Sequence, residues 1–129
     1  MAVYHKNNPW LPQDVESISI NQLRNVPLSI SHGFKERVQQ MFNEAGFEPK
    51  ILSVNASRTT TLMWTRLGKA VGLVTTSSFK NLEITPTIIC RPITGINTIA
   101  QRSFVILKNA NLSSVTKSFI NFATDKTIF

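Results

Sequence analysis

Between Val26 and Val74 short apolar runs alternate with segments patterned for helices, and no other feature of this sequence narrows its fold as much. Val26–Ser31 (VPLSIS) has the pattern of a buried strand and is followed by His32 and Gly33. From Phe34 the apolar positions Phe34, Val38, Met41, Phe42 and Ala45 recur at helical spacing between charged and amide residues, which gathers them on one face of an amphipathic helix. Gly46 supplies a left-handed C-terminal residue, and Pro49 prevents the helix from resuming. Lys50–Val54 is a second strand. Ser57 is an N-cap for a helix over Thr59–Leu67 that carries Leu62, Met63 and Leu67 as a stripe and stops at Gly68. Val71–Val74 is the third strand. Strand, helix, strand, helix, strand over about 50 residues predicts an α/β fold, with a parallel-rich sheet, right-handed crossovers and flanking helices.

Beyond the polar run Thr75–Ser78, the segments Ile84–Ile93 and Arg102–Leu107 read as further strands. The first is divided by Pro86 and ended by Pro92, and the TGIN that follows is turn-like. Asn111 or Ser113 can cap a closing helix with Val115, Phe119, Phe122 and Ala123 on its apolar face. A length of 129 residues suits one ordinary domain. Hydrophobic residues at 42% against 16% charged can build a core, so the chain is not a disordered segment.

Several function classes drop out on composition. The single Cys90 allows no intramolecular disulfide and has no metal-spaced partner, so neither a metal nor another cofactor is expected and a reducing cytoplasm fits. The start MAVYHKNNPW lacks a signal-peptide pattern, and no run approaches the ~20 apolar residues of a membrane span. A formal charge of +7 suggests an anionic partner. Yet the Lys and Arg residues are scattered singly from Lys6 to Lys126, and they are not interleaved with Trp10, Trp64 or the phenylalanines. Nucleic-acid binding by this chain itself is therefore a minor alternative. Ser31, His32 and Asp14 do not read as a catalytic triad, because sequence neighbours do not face one another for proton transfer and no GxSxG turn is present.

The order of segments, YHKNNPW, INQLRNVPLSIS, FKERVQQMFNEAGFEP, SVNASRTTTLMWTRLGKAVGLV and RSFVILKNANLSSVTKSFINFA, resembles the effector-binding domain of LysR-type transcriptional regulators over most of residues 3–124. Gln22 and Leu23 stand where the family has an aspartate-leucine pair. Gly46 and Pro49 match its Gly-x-x-Pro step, and Ser57 and Thr60 match the serine and threonine at its next helix start. Ala70 departs from a second family glycine and Thr75 from a common proline.

The resemblance implies a subdomain like those of type 2 periplasmic binding proteins. Residues 9–104 would form the second regulatory subdomain, while 1–8 and 105–129 would be crossover strands and a terminal helix belonging to the first. The chain would then be a non-enzymatic fragment. It would sense a small-molecule effector, anionic where Arg58, Arg66, Lys69 or Arg102 raise the local potential. DNA would be bound only through a winged helix-turn-helix outside it, and dimers or tetramers would form in the full-length protein. A stand-alone ligand carrier is the alternative from another class. Ligand contacts carried over are Ser29, Ser31 and His32 after the first strand, Ser57 and Thr60 at the second helix, and Val74, Thr75 and Thr76 after the third strand.

Overall fold

The computed structural model describes residues 1–79, 85–97 and 103–125. Its elements run β1 (Ala2–His5), β2 (Ile18–Ser19), β3 (Leu28–Ser31), α1 (Lys35–Glu44), β4 (Ile51–Asn55), α2 (Arg58–Arg66), β5 (Val71–Leu73), α3 (Thr76–Phe79), β6 (Ile88–Arg91), β7 (Ile93–Thr94) and α4 (Ser114–Asp125). Five strands form one sheet in the order β4-β3-β5-β1-β6, and β2 pairs with β7 in a second, two-stranded one. β3 runs parallel to β4 and β5, β2 runs parallel to β7, and β1 is antiparallel to both β5 and β6. The fold is the mixed α/β arrangement that the alternation implies, with a mostly parallel sheet.

The two faces of the sheet are built differently. On one face Ala2, Tyr4, Leu28, Ile30, Val71 and Leu73 join Val38, Met41 and Phe42 of α1 in a fully apolar cluster. On the other face the intervening residues are Val3, Ser29 and Gly72, all small or medium in size, and here Thr61, Leu62 and Thr65 of α2 are the buried helix residues. Alternate residues of a strand point to opposite faces, so the division follows from the strands themselves. In the structure Ala2–His5 is an interior strand of the five-stranded sheet, because Ala2, Val3 and Tyr4 are buried on both faces and need a ladder partner on either side.

Both main helices end by the same local device. Gly46 (φ 88°) and Gly68 (φ 66°) adopt the left-handed conformation that glycine enters without steric cost. After α1, the Gly46 N–H donates to the Asn43 carbonyl at 3.0 Å and the Phe47 N–H to the Phe42 carbonyl at 3.1 Å. After α2, Gly68 and Lys69 donate likewise to Thr65 at 2.9 Å and Trp64 at 3.0 Å. These are paired Schellman bonds that satisfy the last helix carbonyls. The Phe42 and Phe47 rings also meet edge to face, with centroids 5.2 Å apart, which supplies the apolar contact that accompanies such an ending.

The chain divides into two compact units, residues 1–98 and 99–129. In the first, Pro86 falls in the turn that precedes β6, closed by the Ile88 N–H on the Thr85 carbonyl at 3.0 Å, and Pro92 separates β6 from β7. Ile84 lies outside the described residues. In the second unit Ser113 is the cap of α4, accepting from the Thr116 N–H at 3.2 Å. The strand expected over Arg102–Leu107 is corrected: residues 103–107 take no ladder partner among the described residues, and an extended segment becomes a strand only by pairing. Arg102 lies outside the described residues. Val115, Phe119 and Phe122 of α4 are exposed, and Phe119 meets Phe104 edge to face at 5.8 Å.

Gly72 is where α2 comes closest to the sheet. A Cβ placed there would stand 2.7 Å from Thr65 Oγ1, which is buried and has no hydrogen-bond partner among the described residues. Gly72→Ala is therefore expected to lower stability by roughly 1–3 kcal/mol through overpacking. Thr65→Ala in the same background should restore part of the loss. Urea unfolding measures both; an unchanged midpoint for Gly72→Ala would contradict the close seat.

Candidate functional site

Parallel strands carry the chain to one edge of the sheet and leave it there, so turns and helix starts collect beyond the carboxyl ends of β3, β4 and β5. A cleft of about 200 Å³ opens at this edge. One wall is the exit of β3, with Ser31, Gly33 and Phe34. A second is the exit of β5, with Leu73, Val74 and Thr75, and the third is the first turn of α2, with Arg58 and Thr61.

The chemistry of these walls is specific. Phe34, Leu73 and Val74 give an apolar lining, and three hydroxyls from Ser31, Thr61 and Thr75 interrupt it. Arg58 is the one charged side chain lining the cleft among the described residues. The start of α2 adds to its sign, because the unpaired N–H groups at a helix N-terminus carry a partial positive charge. Of the hydroxyls, Thr61 Oγ1 is engaged within its own helix, donating to the Ser57 carbonyl at 3.0 Å. Thr75 Oγ1 lies 3.2 Å from Ser77 Oγ. Ser31 makes no side-chain cap to the short 3₁₀ turn that it precedes.

Of the residues carried over by resemblance, Ser31, Val74 and Thr75 line this cleft together, and the other five stand elsewhere. Ser29 is fully buried behind it, donating to the Thr61 carbonyl at 3.0 Å and accepting from Asn55 Nδ2 at 3.0 Å. Ser57 caps α2, accepting from the Thr60 N–H at 3.2 Å, and its Oγ lies 3.1 Å from Thr60 Oγ1; both residues are exposed outside the lining. Thr76 is exposed at the start of α3. His32 belongs to a second depression, of about 820 Å³, along the outer face of α1 with Lys35, Glu36 and Gln39. That surface derives from one helix and the turn before it, its charges are mixed, and its side chains bond one another, as Gln40 does Glu44 at 2.9 Å. It lacks the convergence of several elements that a binding site needs. Ser31 and His32, adjacent in sequence, thus face different depressions.

Sequence reasoning missed Gly33, Phe34, Thr61 and Leu73 as lining residues and considered Arg58 only as a source of potential. A helical period does place Thr61 one residue after Thr60 on the inward side, and that signal was available. Asn55 was missed altogether. Elsewhere, burial raises the Cys90 thiol above its ordinary value, against an opposing effect from Arg91, so it stays protonated and a poor nucleophile. Among the described residues no group of three or more His, Cys, Asp or Glu could hold a metal ion, and no helix is long and apolar enough to cross a membrane.

A family model described as the LysR substrate binding domain matches residues 1–127. Comparison with curated protein sequences finds no significant match. Among solved structures, full-length CbnR complexed with its target DNA is 26% identical with a TM-score of 0.61, over 74% of this chain and 32% of that one. The effector-binding domain of QuiR in complex with shikimate is 19% identical with a TM-score of 0.69, over 94% of this chain and 57% of that one. The CcmR regulatory domain of Synechocystis in complex with 2-PG is 13% identical with a TM-score of 0.73, over 98% of this chain and 62% of that one. The chain thus spans between 32% and 62% of the lengths of these three structures.

The two serines of β3 should separate under mutation. Ser29→Ala leaves buried partners unsatisfied and is expected to cost about 1–3 kcal/mol. Ser31→Ala, at a half-buried hydroxyl without a capping role, should stay within about 0.5 kcal/mol of the wild type. Equal losses in chemical denaturation would contradict the placement of the two residues.

Proposed function

The chain belongs to the LysR substrate-binding domain family, and from that premise we propose that it is the effector-sensing part of a transcriptional regulator, taking a small anionic molecule in the cleft beyond β3 and β5. The observation that carries this reading is the meeting of three elements at the carboxyl edge of the sheet, with Arg58 and the start of α2 set against the hydroxyls of Ser31 and Thr75. QuiR with shikimate, CcmR with 2-PG and the BenM effector-binding domain with benzoate support it by family and fold. The role is sensing rather than catalysis, in a cytoplasmic protein that needs no cofactor.

On this reading residues 1–98 form the second regulatory subdomain, with β1 included in its sheet, and the cleft is one wall of a site completed by a first subdomain. Effector binding biases the relative placement of the two, and only by the difference in its affinity for the two arrangements. DNA is contacted through a winged helix-turn-helix of the full-length regulator, which works as a dimer or tetramer.

A carboxylate paired with a guanidinium forms a charge-assisted hydrogen bond that a neutral amide cannot replace. In isothermal titration the protein should therefore bind benzoate or shikimate and reject benzamide. Arg58→Gln should weaken acid binding by roughly 10- to 100-fold, as expected for loss of a hydrogen bond to a charged group. Benzamide binding as well as benzoate, or affinity unchanged in Arg58→Gln, would contradict the proposed chemistry.

A further inference from the structure

Behind the lining of the cleft, one buried amide ties together the elements that form its walls. β3 and β5 hold each other by ladder pairing. The first turn of α2, which brings Arg58 and Thr61 to the cleft, has no ladder to fix it. Asn55, the last residue of β4 and 7% exposed, supplies the fixing. Its Nδ2 donates to Ser29 Oγ at 3.0 Å and to the Ile30 carbonyl at 3.1 Å, both on β3, and lies 3.4 Å from Thr61 Oγ1 on α2. Its Oδ1 accepts from Ser53 Oγ at 2.7 Å. Ser29 Oγ in turn donates to the Thr61 carbonyl at 3.0 Å, which closes the knot between strand and helix.

Apolar packing of Leu62 against Val3 and Val74 also holds α2 to the sheet, but it tolerates sliding and rotation. Directional hydrogen bonds in a dry setting do not, and a fully satisfied buried network selects one arrangement of the groups it joins. Both amide hydrogens of Asn55 are committed to protein acceptors, so its role is to place other residues. We infer that Asn55 is a positioning residue for the cleft, setting where the first turn of α2, with Arg58 and Thr61, stands against Ser31 and Thr75. The inference rests on the reading of this cleft as the effector site.

The test compares Asn55→Ala with Val38→Ala, a truncation in the apolar cluster under α1. N–H residual dipolar couplings of residues 58–61 are measured against those of residues 28–31 in the ligand-free protein. Asn55→Ala is expected to change the first set relative to the second and to speed amide exchange at Thr61 by roughly tenfold more than at Phe42. Val38→Ala should leave the couplings in place. With benzoate as the probe, Asn55→Ala should weaken binding about tenfold and Val38→Ala less than about twofold. Couplings in Asn55→Ala that superimpose on those of the wild type overturn the inference, whatever the loss of stability. Should Asn55→Ala fail to fold, Ser29→Ala cuts one leg of the knot and is judged by the same couplings. A wild-type protein that binds no benzoate counts against the effector reading, while the couplings still decide the role of Asn55.

Discussion

The seat of α2 on the sheet is the constraint from which the rest of this structure follows. A helix can lie this close only where the strand residues beneath it are small, and Gly72 on β5 and Ser29 on β3 meet that condition on one face. The opposite face is free to use Leu28, Ile30, Val71 and Leu73 in a packed cluster with α1. The sheet therefore has an apolar side that supplies most of the burial and a side with polar contacts that fixes geometry. A buried hydroxyl with no partner among the described residues, Thr65 Oγ1, sits at the closest approach.

That seat also determines the chemistry at the sheet edge. With α2 seated on the sheet, its first turn lines a cleft together with the exits of β3 and β5. Positive potential from Arg58 and the helix start then faces hydroxyls across an apolar floor, an arrangement suited to a small acid and poorly suited to a cation. Few of the polar groups at the edge are available to a ligand, since Ser57 caps, Ser29 braces and Thr61 bonds within its helix. A cleft of this kind can contribute to a switch only if a second body closes on it, because binding to a single rigid wall has no alternative arrangement to select against.

What could be read from the sequence was whatever depends on local chemistry. Ser57 as a cap, Gly46 and Gly68 as left-handed helix ends, the apolar face of α1 and the strands around Ile30 and Leu73 each answer to residues within a few positions, and the structure has them all. What could not be read depends on pairing across long separations. Ala2–His5 sits inside the sheet only because β5 and β6, some 70 and more residues away, flank it. Ser29 was carried over by resemblance together with Ser31, and the two share the α2 face of β3, but Ser29 lies under α2, bonded to the Thr61 carbonyl, while Ser31 at the end of the strand reaches the cleft. Asn55 carries no local signal of its role, since its partners Ser29 and Ile30 lie 26 and 25 residues away. Residues 103–107 have the composition of a strand, yet composition supplies no partner.

The central claim is that a small acid is received where α2 meets the exits of β3 and β5. Amide chemical-shift mapping of the isotopically labelled protein during titration with benzoate addresses it most directly. The account requires the perturbations to cluster at residues 31–34, 58–61 and 73–75. Perturbations confined to the outer face of α1, at Glu36, Gln39, Gln40 and Asn43, or none at saturating benzoate, would contradict it.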